Sequence, residues 1–140
     1  MDAAIFGNTN FVYTLHKKIF TGLSTVASVK PPRGLAANEK VCTFAYTSGW
    51  RCGTMTFLDW EYFVGPHKTN LARATFCGAP GDSGGPVVNE GKPALGIYVG
   101  TTASTNSTTC GAVFGDQADS VFQPIMPYLA RYPNVTIMSE

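Results

Sequence analysis

Apolar residues in this chain come in short runs, each closed by residues that favour turns. Residues 3–6 and 11–15 are two such runs with strand character. Lys30-Pro31-Pro32-Arg33-Gly34 then breaks the pattern and reads as a linker or turn. Further strands are predicted at 41–46, 53–58, 71–76, 86–88 and 94–99. Turn residues separate them at regular intervals, which predicts an all-β barrel or sandwich. Residues 101–109 are Thr, Ser, Asn and Ala and predict an exposed loop. The last segment changes period. Val121, Phe122, Ile125, Met126 and Leu129 fall on one face at helical spacing, behind a Ser120/Gln123 capping-box pattern. Pro124 and Pro127 limit that helix to a short one.

With 140 residues, the chain is long enough for one domain with a real core. Its formal net charge of +1 gives no electrostatic case for nucleic acid or an anionic membrane, and no apolar run approaches a membrane span. The four cysteines, Cys42, Cys52, Cys77 and Cys110, form no CxxC pair, and with only two histidines they argue against a zinc site. Two disulfides are expected instead, in any of three pairings, and these imply an oxidising, extracellular setting. Sequons at Asn106 and Asn134 agree with secretion. No cofactor motif is present.

The chemistry concentrates in Gly81-Asp82-Ser83-Gly84-Gly85-Pro86. Glycines allow a turn that lifts Ser83 Oγ clear of the chain and aims neighbouring N–H groups at one point. Such a turn suits a serine nucleophile with an oxyanion pocket made of its own backbone. The segment also fits G-x-S-x-G, but that elbow must run from a strand into a helix, and Pro86-Val87-Val88 reads as a strand. A glycine-rich hairpin without chemistry would not need Asp82 and Pro86.

The six residues resemble the nucleophile loop of chymotrypsin-like serine proteases. The resemblance extends to the streptogrisin and α-lytic branch through Thr47-Ser48-Gly49-Trp50-Arg51-Cys52-Gly53-Thr54-Met55-Thr56 and Cys77-Gly78-Ala79-Pro80, then through Leu95-Gly96-Ile97-Tyr98-Val99-Gly100 and Val121-Phe122-Gln123-Pro124-Ile125. It covers about residues 40–135. It implies an antiparallel six-stranded Greek-key barrel, the second of a two-barrel fold, followed by a short helix. It also implies disulfides Cys42–Cys52 and Cys77–Cys110. Residues 1–30 would be a remnant of the first barrel and its linker, and 31–140 the barrel itself.

By the same resemblance Ser83 attacks a peptide carbonyl, and the N–H groups of Gly81 and Ser83 hold the oxyanion, a contribution of roughly 3 kcal/mol per donor. Cys77, Gly78, Ala79 and Pro80 would wall one side of the S1 pocket, and Val99, Gly100 and Thr101 the other. The second wall would also pair with an extended polypeptide substrate. Two positions depart from the family, which places a serine at Val99 and a glycine at Thr101. With no carboxylate at the pocket floor, small or medium uncharged P1 residues are expected. Asp2 stands 81 residues before Ser83, a spacing similar to the family's, and is the expected triad aspartate.

The family's histidine precedes that aspartate. His16 follows Asp2 and lacks the family's small-residue surroundings, and His67 lies in a predicted turn. Both read as solvated side chains. Two functions remain. One is a serine endopeptidase whose base comes from an upstream His-bearing barrel or a partner chain. The other is a non-catalytic homologue that acts as a binding or regulatory module.

Overall fold

The computed structural model describes residues 18–22, 25–28, 30–91, 93–102 and 119–137. The elements follow in the order β1 (Lys18–Gly22), β2 (Thr25–Ser28), β3 (Lys40–Ala45), β4 (Gly49–Val64), β5 (His67–Ala74), β6 (Pro86–Asn89), β7 (Ala94–Thr101), β8 (Ser120–Pro124) and α1 (Ile125–Arg131). Strands β1 and β2 make an antiparallel hairpin of their own. The other six close into an antiparallel barrel in the order β3-β4-β5-β8-β7-β6. The runs expected at 3–6 and 11–15 lie outside the described residues.

The barrel closes because each strand sends a set of apolar side chains inward. Val41, Met55, Ala72, Ala74, Phe76, Val87, Leu95, Tyr98 and Phe122 form the central cluster. Burying a large apolar side chain contributes about 1.5–3 kcal/mol, so this cluster holds the sheet closed. Cys42 lies directly opposite Cys52 across the β3–β4 ladder, and the two are joined in a disulfide. Cys77 is also disulfide-bonded, while Cys110, its expected partner, lies outside the described residues.

Two elements correct the sequence expectation. Residues 120–124 were expected to begin a helix, but they form strand β8, paired with β5 on one side and β7 on the other. Four successive buried residues, Ser120 to Gln123, hide the alternation of a strand, because both faces of β8 are covered. The helix starts at Ile125, with Pro124 as N-cap and no side-chain cap, so the Ser120/Gln123 capping box does not form. Pro127 sits in the first turn, where a missing N–H costs no intrahelical bond.

The second correction concerns the β4–β5 hairpin. Strand β4 runs six residues beyond the predicted end at 58, and β5 begins at His67. Irregularities in pairing between Met55 and Phe57, and between Phe57 and Trp60, disturb the alternation there. Before the barrel, the 30–34 stretch runs beside the start of β7. Ala94 N–H donates to the Lys30 carbonyl at 3.4 Å, and Arg33 N–H donates to the Ala94 carbonyl at 3.3 Å. Glu39 ties this stretch to the barrel. It pairs with Arg33 and accepts hydrogen bonds from Ala36 N–H (2.7 Å) and Asn89 Nδ2 (2.9 Å).

Candidate active site

The serine loop leaves β5 and enters β6, spanning Thr75 to Gly85. Two glycines carry left-handed backbone dihedrals that residues with a Cβ rarely adopt, Gly81 at φ +97° and Gly84 at φ +89°. Between them Asp82 turns into the protein, 1% exposed, and Ser83 turns out.

The Asp82 carboxylate is the anchor of the turn. Oδ1 accepts from Thr47 N–H (2.8 Å) and Ser48 N–H (3.0 Å). Oδ2 accepts from Ser48 Oγ (2.5 Å) and Ala79 N–H (2.7 Å). Four donors replace the water lost on burial, and no cation pairs with this carboxylate among the described residues. Thr47 Oγ1 adds a hydrogen bond to the Pro80 carbonyl at 2.8 Å. The turn between β3 and β4 therefore fixes the serine loop by side chain and backbone together.

The backbone N–H groups of the loop divide into two sets. Asp82 N–H donates to Ala79 O (3.1 Å), Gly84 N–H to Tyr98 O (2.9 Å) and Gly85 N–H to Asp82 O (3.1 Å). The N–H groups of Gly81 and Ser83 donate to no acceptor among the described residues. Both residues are exposed, so these two donors are open to a ligand. Ser83 Oγ donates to the Val99 carbonyl at 2.8 Å.

Val99, Gly100 and Thr101 continue β7 past its ladder with β6, which ends at the Pro86–Ile97 pair, and on the other side they lie along β8. Cys77, Gly78 and Ala79 are buried and Pro80 is exposed. Tyr98 is 1% exposed, with its hydroxyl against Gly78. Burial pushes the Tyr98 phenol up from 10.0 to about 12; a hydrogen bond from Ser120 opposes the rise, and Asp82 and Tyr62 add to it.

Asp2 and His16 lie outside the described residues. His67 opens β5, paired with Val64 across the hairpin turn, and is exposed; it makes no hydrogen bond to Ser83. No group of three or more metal-ligating side chains occurs among the described residues. Sequence reasoning assigned no role to Thr47, Ser48 or Tyr98. Thr47 and Ser48 lie 35 and 34 positions from the aspartate they hold, and no local pattern links them. The available signal was Asp82 itself, since a buried carboxylate needs several donors.

Comparison with known proteins agrees with this geometry. The chain is 35% identical over 94 residues to streptogrisin-C of Streptomyces griseus, which covers 66% of this chain and 18% of that protein. It superimposes on the chymotrypsin of Cellulomonas bogoriensis with a TM-score of 0.75 and 25% identity, over 90% of this chain and 63% of that one. For protease A of Thermobifida fusca the TM-score is 0.75 and the identity 26%, over 91% and 64%. In sequence and fold the chain is similar to chymotrypsin-like serine proteases of the streptogrisin type. No family model matches it. It spans less than two thirds of these relatives' own lengths.

Proposed function

We propose that this barrel is the nucleophile-bearing half of a serine endopeptidase acting by acyl transfer through Ser83. The observation that carries the reading is the division of N–H groups around the serine. The Gly81 and Ser83 donors are unused and exposed, while their neighbours at Asp82, Gly84 and Gly85 are all engaged. Two such donors stabilise the charge that develops on a carbonyl oxygen under attack. An extended polypeptide would lie along Val99 to Thr101, with a small or medium uncharged P1 side chain between that strand and Cys77 to Pro80. Asp2 would orient the base, and residues 1–30 would belong to the first barrel and its linker. The base itself would come from polypeptide outside this chain, either a His-bearing barrel upstream or a partner. The disulfides at Cys42–Cys52 and Cys77 suit a secreted protein.

One observation favours the second reading, a homologue that binds without cutting. Ser83 Oγ is engaged with the Val99 carbonyl, an acceptor that cannot take its proton. A fluorophosphonate probe separates the two. Labelling of the 140-residue chain that disappears in Ser83→Ala means that a base reaches the serine. If the folded chain stays unlabelled alone and labels when joined to a His-bearing first barrel, the half-protease reading stands. If it stays unlabelled in both forms, the chain is a binding homologue.

A further inference from the structure

We infer that Asn134 is an acceptor site for an N-linked oligosaccharide, presented on the surface just past the final helix. The inference rests on the reading of a secreted protein, because such a glycan is added in an oxidising compartment that also forms disulfides. Asn134-Val135-Thr136 has the required spacing, with a residue other than proline between amide and hydroxyl. Spacing alone is not enough, since a tripeptide sunk in a core or tied into a sheet is closed to a transferase. Here the surroundings fit. Helix α1 ends at Arg131, and Val135 N–H donates to the Tyr132 carbonyl at 2.9 Å. That bond closes a β-turn with Pro133 at its second position and Asn134 at its third. Residues 132–137 belong to no helix or strand, so no ladder has to open for the tripeptide to be bound.

Burial along the tripeptide alternates as the chemistry needs. Asn134 and Thr136 are exposed, while Val135 and Ile137 are half-buried. The amide and the hydroxyl therefore both stand toward solvent, and the apolar side chains carry the contact with the protein. Neither the Asn134 amide nor the Thr136 hydroxyl has a hydrogen bond to give up among the described residues. Asn89 shows the opposite case. Its Nδ2 donates to Glu39 and to the Lys40 carbonyl, and its Oδ1 accepts from Gly91 N–H. Tyr132, 40% exposed, precedes Asn134 by two residues in the same turn and offers the apolar face of a first sugar an aromatic surface. In the transfer, a bond forms between Asn134 Nδ2 and the anomeric carbon of an oligosaccharide carried on a lipid diphosphate. The glycosyl–phosphate bond breaks, the lipid diphosphate leaves, and the amide gives up one proton to a base of the transferase.

The test expresses the 140-residue chain behind an added signal peptide in a eukaryotic cell. The secreted fraction is mapped by peptide mass spectrometry before and after PNGase F, which separates Asn134 from the second sequon at Asn106. Most molecules that hold the Cys42–Cys52 bridge are expected to carry a glycan at Asn134. Asn134→Gln and Thr136→Ala should each remove it, and Thr136→Ser should keep it at lower occupancy. Both positions are exposed and outside any ladder, so these variants should stay folded. An oxidised chain with Asn134 bare overturns the inference, as does a glycan that survives Thr136→Ala. Either result leaves the reading of a secreted protein in place. If the Cys42–Cys52 bridge does not form in this setting, the secreted reading itself falls, and the inference with it.

Discussion

Two glycines three positions apart in the serine loop share a left-handed backbone but face different surroundings. A Cβ on Gly84 meets nothing within 4 Å, whereas one on Gly81 would lie 2.6 Å from Thr47 Oγ1. Gly84→Ala should therefore cost only the conformational penalty, about 1–2 kcal/mol. Gly81→Ala should cost more, about 2–4 kcal/mol, because strain and overlap add. Urea denaturation of both variants checks the order. Repeating Gly81→Ala in a Thr47→Ala background should narrow the gap, since the overlapping hydroxyl is then gone. Equal costs in the native background would show that the loop relaxes around either Cβ. The glycines were legible in the sequence as a turn; which of them is crowded was not, because Thr47 arrives from another strand pair.

At the scale of elements, the serine loop is held by the turn between β3 and β4 through the Asp82 carboxylate, with one further hydrogen bond from Thr47 Oγ1 to the Pro80 carbonyl. Asp82→Asn keeps the shape but puts an NH₂ where a carboxylate oxygen now accepts. Either Ala79 N–H with Ser48 Oγ, or the N–H pair of Thr47 and Ser48, then faces a donor. The expected loss is about 2–4 kcal/mol, against about 1–2 kcal/mol for Ser48→Ala, which removes one partner. A double-mutant cycle by chemical denaturation should give a clearly non-additive result, and additivity would mean that the Ser48–Asp82 hydrogen bond contributes nothing of its own. The sequence shows three of the six barrel strands, β3, β6 and β7, at nearly their true positions, and finds parts of β4 and β5, because each run alternates or ends in a turn. It misplaces β8 because a strand buried on both faces has no alternation, so its apolar spacing passes for a helix.

For the molecule as a whole, alkaline pH tests whether the barrel interior is sealed. The native state holds the Tyr98 proton up to about pH 12, while the unfolded chain releases it near 10.0. Between those values the folded form binds more protons, so stability must fall as pH rises. This group should leave stability untouched below about pH 10 and remove about 2–3 kcal/mol by pH 12. Urea unfolding across that range should show the decline, and Tyr98→Phe should remove this part of it. A native chain whose decline matches that of Tyr98→Phe would mean that water reaches the phenol.

The sequence by itself determined the β class, the short final helix and the serine turn. Each of these rests on local chemistry: turn residues at intervals, apolar spacing limited by prolines, and glycines around one serine. The Cys42–Cys52 bridge came from the family resemblance, since spacing alone left three pairings open, and the structure decides it. Only the tertiary structure decided what surrounds the serine. Thr47 and Ser48 come to Asp82, Val99 comes to Ser83 Oγ and Tyr98 comes to Gly78 from distant positions along the chain. Barrel closure brings them together, and closure depends on the pairing of six strands at once, which no window of sequence contains.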